Sequence, residues 1–123
     1  IDGFNDVPSN DETALKKAVS QQPVSVAIEA DQRSFQLYGG GVYHAEDCGT
    51  QLDHGVLVVG YGIDHNSSNV IIPGATKKYW KIKNSWSEQW GEGGYIRIAR
   101  DVESPSGMCG VAEMASYPEK TKL

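Results

Sequence analysis

The chain has little of what several functional classes require. Among its 123 residues there are two cysteines, two methionines and two phenylalanines, and acidic residues outnumber basic ones by 16 to 11, for a formal net charge of −5. A nucleic-acid partner calls for a basic footprint, so none is expected. No apolar run approaches the roughly 20 residues of a membrane-spanning helix, so no membrane partner is expected either. Internal repeats and low-complexity tracts are missing. So is any C-x-x-C spacing, and although His44 and Cys48 can be drawn as two metal ligands, no second pair completes a tetrahedral set. Neither metal nor cofactor is expected.

The cysteines that are present, Cys48 and Cys109, lie 61 positions apart. An even count without metal-binding spacing points to one disulfide and an oxidising compartment, which places the protein on the secretory pathway, vacuolar or extracellular. Asn66-Ser67-Ser68 is a glycosylation sequon in a polar stretch and agrees with that compartment. Ile1-Asp2-Gly3-Phe4 carries no methionine, signal peptide or tag, so the expectation is a processed polypeptide whose upstream segment has been removed.

Hydrophobic residues make up 39% and charged residues 22%, which suits one globular domain with a real core. Fourteen glycines and three tryptophans favour a loop-rich, mainly β chain. Ser9 and Glu12 form a capping-box pattern, with Asn10 and Asp11 as rival caps. The stripe Ala14, Leu15, Ala18, Val19 then predicts one amphipathic helix over 11–21, closed by Pro23. Val24 to Ala30 reads as a strand, and Phe35 to Tyr38 as a short turn before three glycines. His54 to Gly62 is near-continuously apolar and reads as a strand buried on both faces. Residues 63–76 form a polar loop inserted between paired strands. Lys78 to Asn84 and Tyr95 to Ala99 alternate as half-buried strands do. The expected fold class is α+β: a mainly antiparallel, barrel-like sheet of four or five strands with one amphipathic helix. Tyr61, Tyr79, Tyr95 and Tyr117 are read as core.

His44 and His65 sit in polar loop contexts and are given no role. His54 differs, because it opens an apolar strand directly after Asp53. Alone it reads more readily as a structural histidine. Asn84 changes that balance: it ends another strand and precedes Trp86, which is placed to shield it from water. A neutral amide oxygen can accept an imidazole N–H and fix the ring's tautomer and orientation. An amide suffices for this where the nucleophile is already a thiolate paired with imidazolium.

The segments Leu52-Asp53-His54-Gly55-Val56 to Gly60-Tyr61-Gly62, Tyr79-Trp80-Lys81-Ile82-Lys83-Asn84-Ser85-Trp86 and Trp90-Gly91-Glu92-Gly93-Gly94-Tyr95-Ile96 resemble the second half of papain-like cysteine proteases. Gln22-Pro23-Val24-Ser25-Val26 and Phe35-Gln36-Leu37-Tyr38 resemble the plant members especially. The resemblance runs from about Ile1 to Pro118. It implies that residues 1–123 are the carboxyl-terminal, β-rich half of a two-domain fold whose nucleophile-bearing half is absent from this chain. His54 is then the catalytic base and Asn84 its orienting amide. Trp86 covers the pair and Trp90 packs nearby on the leaving-group side. Ala27, Leu52, Asp53, Gly55 and Met114 line the substrate cleft, with Ala27 and Met114 shaping the pocket for the second side chain before the cut. The family's matching cysteines bond to each other, which pairs Cys48 with Cys109 and removes both as nucleophile. A companion chain must therefore bring the nucleophilic cysteine and the oxyanion-hole glutamine, and the substrate is a protein or peptide. Two departures stand out: Ser87 where the family usually has glycine, and the long 64–76 loop. The alternative reading is a catalytically inactive relative serving as a storage or binding protein.

Overall fold

A computed structural model describes residues 3–65 and 78–118. Asn66 and most of the polar insertion lie outside the described residues.

The first helix, α1 (Glu12–Val19), starts where Asp11, with extended backbone, accepts a hydrogen bond from the Ala14 N–H at 3.0 Å. Asp11 is thus the cap, ahead of Ser9, whose hydroxyl instead donates to the Glu113 carbonyl at 2.7 Å. Leu15 and Val19 point into the core, and Lys16 and Lys17 complement the carboxyl end of the helix. A second, short helix that the sequence pattern did not predict, α2 (Arg33–Gln36), turns the chain so that Phe35 is fully buried.

Among the described residues seven strands make one sheet: β1 (Phe4–Asp6), β2 (Val24–Ile28), β3 (Val42–Tyr43), β4 (His54–Ile63), β5 (Lys78–Lys83), β6 (Tyr95–Ala99) and β7 (Ala115–Pro118). Their order is β1-β7-β2-β4-β5-β6-β3. All pairs are antiparallel except β3 with β6. Among the described residues nothing joins β1 to β3, so the sheet is mixed and open where a barrel-like sheet was expected, and the class remains α+β. The strands missed from sequence, β1, β3 and β7, are two to four residues long and too short to show a period.

The alternation expected for β5 is present: Trp80 and Ile82 are fully buried while Lys78, Lys81 and Lys83 are exposed. On β4, only Val56 and Val58 are buried. The apolar run there includes Gly55, Gly60 and Gly62, which bury no side chain, and its far end presents Tyr61 and Ile63 to solvent. The strand therefore has one core face, and the expectation of burial on both faces fails. Of the four tyrosines read as core, Tyr117 packs against it half-buried, Tyr79 and Tyr95 are half-buried, and Tyr61 is exposed. Lys16 lies over the Tyr61 ring, Arg97 over Tyr79 and Lys81 over Tyr95, at 5.0–5.2 Å from the ring centroids.

Two carboxylates, Glu12 half-buried and Glu29 buried, tie the elements together. Glu12 accepts from the Trp80 indole N–H at 2.8 Å and from the backbone N–H groups of Asp101 and Val102 at 3.1 Å each, fastening α1 to the sheet. Glu29, just past β2, holds the loop that leads into β4. Cys48 and Cys109 form a disulfide across the same region, as the resemblance implied.

Candidate active site

His54 is the first residue of β4 and Asn84 directly follows β5, the antiparallel neighbour of β4. Both side chains therefore emerge at one end of the sheet. The His54 ring nitrogen Nε2 lies 2.7 Å from Asn84 Oδ1. The orientation of that amide follows from a second bond: the Ser85 backbone N–H donates to the same Oδ1 at 2.8 Å. Turning the amide over would set its NH2 against that N–H. With Oδ1 fixed as an acceptor, Nε2 must carry the proton, and in the neutral ring Nδ1 is the acceptor. The cost of this orientation is visible too, since Asn84 Nδ2 is buried with no hydrogen-bond partner among the described residues. Asn84 is itself buried, and its backbone N–H bonds the Gly94 carbonyl at 3.1 Å.

Trp86 stacks on His54, with ring centroids 5.3 Å apart and planes 30° apart. It meets Trp90 edge-on at 5.0 Å, and both indoles pack on Phe35. Trp90 also contacts Tyr38, and its indole N–H donates to the Gln36 carbonyl at 3.0 Å. The aromatic shield is thus built on α2, the element read from sequence only as a turn. Phe35 is a member that sequence reasoning missed, although it was in view within the Phe35–Tyr38 motif.

The turn carrying the tryptophans needs glycine most plainly at Gly91. Gly91 has φ +61°, and a Cβ there would lie 2.5 Å from the Tyr95 carbonyl oxygen. Ser87 keeps the turn in shape. Its hydroxyl accepts from the Gln89 N–H at 3.0 Å and its carbonyl from the Trp90 N–H at 2.9 Å.

Strand register places Ala27 and Gly55, two of the residues expected to line a cleft, side by side. Ile28 pairs with His54 and Ala27 with Gly55, while the Ala27 N–H donates to the Met114 carbonyl at 3.2 Å. Ala27 and Met114 share a cavity of about 650 Å³ with Val26, Glu113 and Asp6. Gly55 lines a second one of about 380 Å³ with Asn84, Ser85 and Lys83. Leu52 and Asp53 line neither. Asp53 instead caps the end of β2, accepting from the Ala30 N–H at 2.8 Å while its own N–H donates to the Ile28 carbonyl at 3.0 Å. Met114 is 65% exposed, an unusual state for a methionine beside a cavity.

His44 is half-buried and His65 exposed, and neither joins the site. Among the described residues, no group of three or more His, Cys, Asp or Glu side chains is arranged to hold a metal ion.

A profile described as papain family cysteine protease matches residues 1–119. Among curated proteins, the oryzain beta chain of Oryza sativa subsp. japonica is 54% identical over 121 residues, covering 98% of this chain and 24% of its own length. The KDEL-tailed cysteine endopeptidase CEP2 of Arabidopsis thaliana is 53% identical over 120 residues, with 98% and 30% covered. The chain thus spans between about a quarter and a third of these relatives. Among solved structures, the bromelain protease from Ananas comosus, in complex with an inhibitor, superposes with a TM-score of 0.84 at 48% identity, over 96% of this chain and 50% of that one.

Proposed function

Because the chain belongs to the papain family of cysteine proteases, we propose that it is the carboxyl-terminal half of a cysteine endopeptidase, completed by a companion segment or chain that brings the nucleophilic cysteine and the oxyanion-hole glutamine. Both cysteines of this chain are bonded to each other, so neither is available as a thiolate. The observation that carries the reading is the 2.7 Å contact of His54 Nε2 with Asn84 Oδ1, an oxygen that also accepts from the Ser85 N–H. With Nε2–H held by Asn84, Nδ1 is the nitrogen that faces chemistry.

In the proposed mechanism His54 Nδ1 takes the proton of the companion thiol, giving a thiolate–imidazolium pair. The thiolate attacks the scissile carbonyl of an extended peptide, and the imidazolium donates its proton to the departing amine. His54 then takes a proton from water, which attacks the thioester and releases the acid. Asn84 keeps the ring in plane throughout, and Trp86 excludes water from the bond between them. Ala27, Leu52, Asp53, Gly55 and Met114 are the proposed walls of the cleft, with the Ala27–Met114 cavity receiving an apolar side chain before the cut. Trp90 supports Trp86 and borders the leaving-group side. The open, partly apolar face left by β4 and by exposed Met114 is the proposed seat of the other half, in a two-domain molecule.

The disulfide supports a secretory-pathway location, vacuolar or extracellular, as does the KDEL tail in the name of one relative. Asn66 is the proposed glycan site. His54→Ala in the complete enzyme tests the reading: turnover should fall by roughly 1,000-fold or more while the fold persists, as loss of a general base requires. Near-normal peptidase activity would end it.

A further inference from the structure

We propose that Glu29 is a positioning residue for the site, holding the segment that delivers His54; this rests on the peptidase reading of His54. The carboxylate is 4% exposed and carries no cationic partner among the hydrogen bonds that surround it. Instead it gathers three N–H donors from two directions. Oε2 accepts from the Gly49 backbone N–H at 2.6 Å and from the Gln32 side chain at 3.0 Å, and Oε1 accepts from the Gln51 backbone N–H at 3.1 Å. A buried carboxylate with N–H groups on both oxygens is held in its charged form, and the Gly49 bond foremost lowers its pKa below the ordinary value.

The geometry makes this clamp matter for the site and not only for the fold. Residues 49–51 run straight into Leu52, Asp53 and His54. On the other side of Glu29, Ile28 pairs with His54 and accepts from the Asp53 N–H, and Ala30 donates to the Asp53 carboxylate. The backbone N–H of Glu29 bonds the Cys109 carbonyl at 2.9 Å, and the disulfide partner of Cys109 is Cys48, next to Gly49. Residues 28–30 therefore grip 48–54 at successive points, and the Glu29 side chain is the grip on residues 49–51, which have no strand pairing of their own. A glutamine there would turn an NH2 group toward at least one backbone N–H. The loop would have to shift, and with it the ring plane of His54.

The test compares wild type, Glu29→Gln and Gln51→Pro in the intact protein, with two readouts: peptide hydrolysis, and proton exchange at His54 Nε2–H followed by NMR. Gln51→Pro removes one donor to the clamp while leaving the buried acid in place. The expected result for Glu29→Gln is a fall in kcat/KM of about 10-fold, carried mainly by kcat, as small misplacements of a catalytic group produce. The exchange of Nε2–H should be faster, and Gln51→Pro should move both readouts in the same direction. A variant that melts earlier but keeps both readouts would overturn the proposal, because the role would then be structural. If Glu29→Gln does not fold, unchanged readouts in Gln51→Pro overturn it equally. If wild type itself shows no hydrolysis, the peptidase reading has failed, and the Nε2–H exchange alone decides whether Glu29 positions His54.

Discussion

Trp86 lies across His54 at 5.3 Å with the two ring planes 30° apart, so one face of the histidine that bonds Asn84 is closed to water. The indole is itself 36% exposed, and it is held in place by Trp90 and Phe35 behind it. Trp86→Ala should leave the sheet intact and hydrate the His54–Asn84 bond. Losing the net worth of one shielded hydrogen bond, about 1 kcal/mol, corresponds to a fall in kcat/KM of roughly five- to tenfold. Steady-state kinetics of the purified variant provide the check, with circular dichroism confirming the fold.

Asn84→Ala removes the acceptor shared by His54 and Ser85. The imidazole then has no partner to fix its tautomer, and kcat should fall by about 100-fold through misorientation. A change confined to KM would show that Asn84 acts on substrate binding instead of on the base.

Two glutamates, Glu29 buried and Glu12 half-buried, should respond to pH in opposite senses. Glu29 has a pKa below its ordinary 4.5, first through the Gly49 N–H, so its contribution to stability is present above that value and is lost as pH falls through the folded pKa. Glu12 has a pKa above 4.5, because burial outweighs the bonds from Trp80, Asp101 and Val102. Its contribution is full below 4.5 and declines as pH rises through the folded pKa. Thermal melts across this range should show the gap between wild type and Glu29→Gln closing toward acid. The gap for Glu12→Gln should narrow as pH rises.

The Cys48–Cys109 bond closes a separation of 61 residues, and in the chain-entropy model replacing both cysteines by serine should cost about 4 kcal/mol of stability. Alkylation of the unreduced protein should add no mass to the peptides that carry Cys48 and Cys109. A mass increase on either peptide without reductant would contradict the bond.

Much of this arrangement was legible in the chain because its signals are local. His54 and Asn84 each sit at the end of a patterned strand, and the helix stripe around Leu15 and Val19 has a clear period. The burial of β4 was overread because glycines count as apolar yet bury no side chain. The short strands β1, β3 and β7 carry no readable period and form only through partners distant in sequence, as Phe4 does with Pro118. Glu29 was invisible for the same reason. A lone glutamate ending a strand reads as surface, and only the fold brings the N–H groups of Gly49 and Gln51 around it.

The most direct test of the central claim is an intact native mass spectrum after incubation with an epoxide directed at active-site thiols. The account predicts one adduct on a species that contains this chain together with its companion half, with the label on the companion cysteine, and no adduct on Cys48 or Cys109. An intact two-part species that takes up no label would contradict it, and His54 would then be the remnant of a site without a nucleophile.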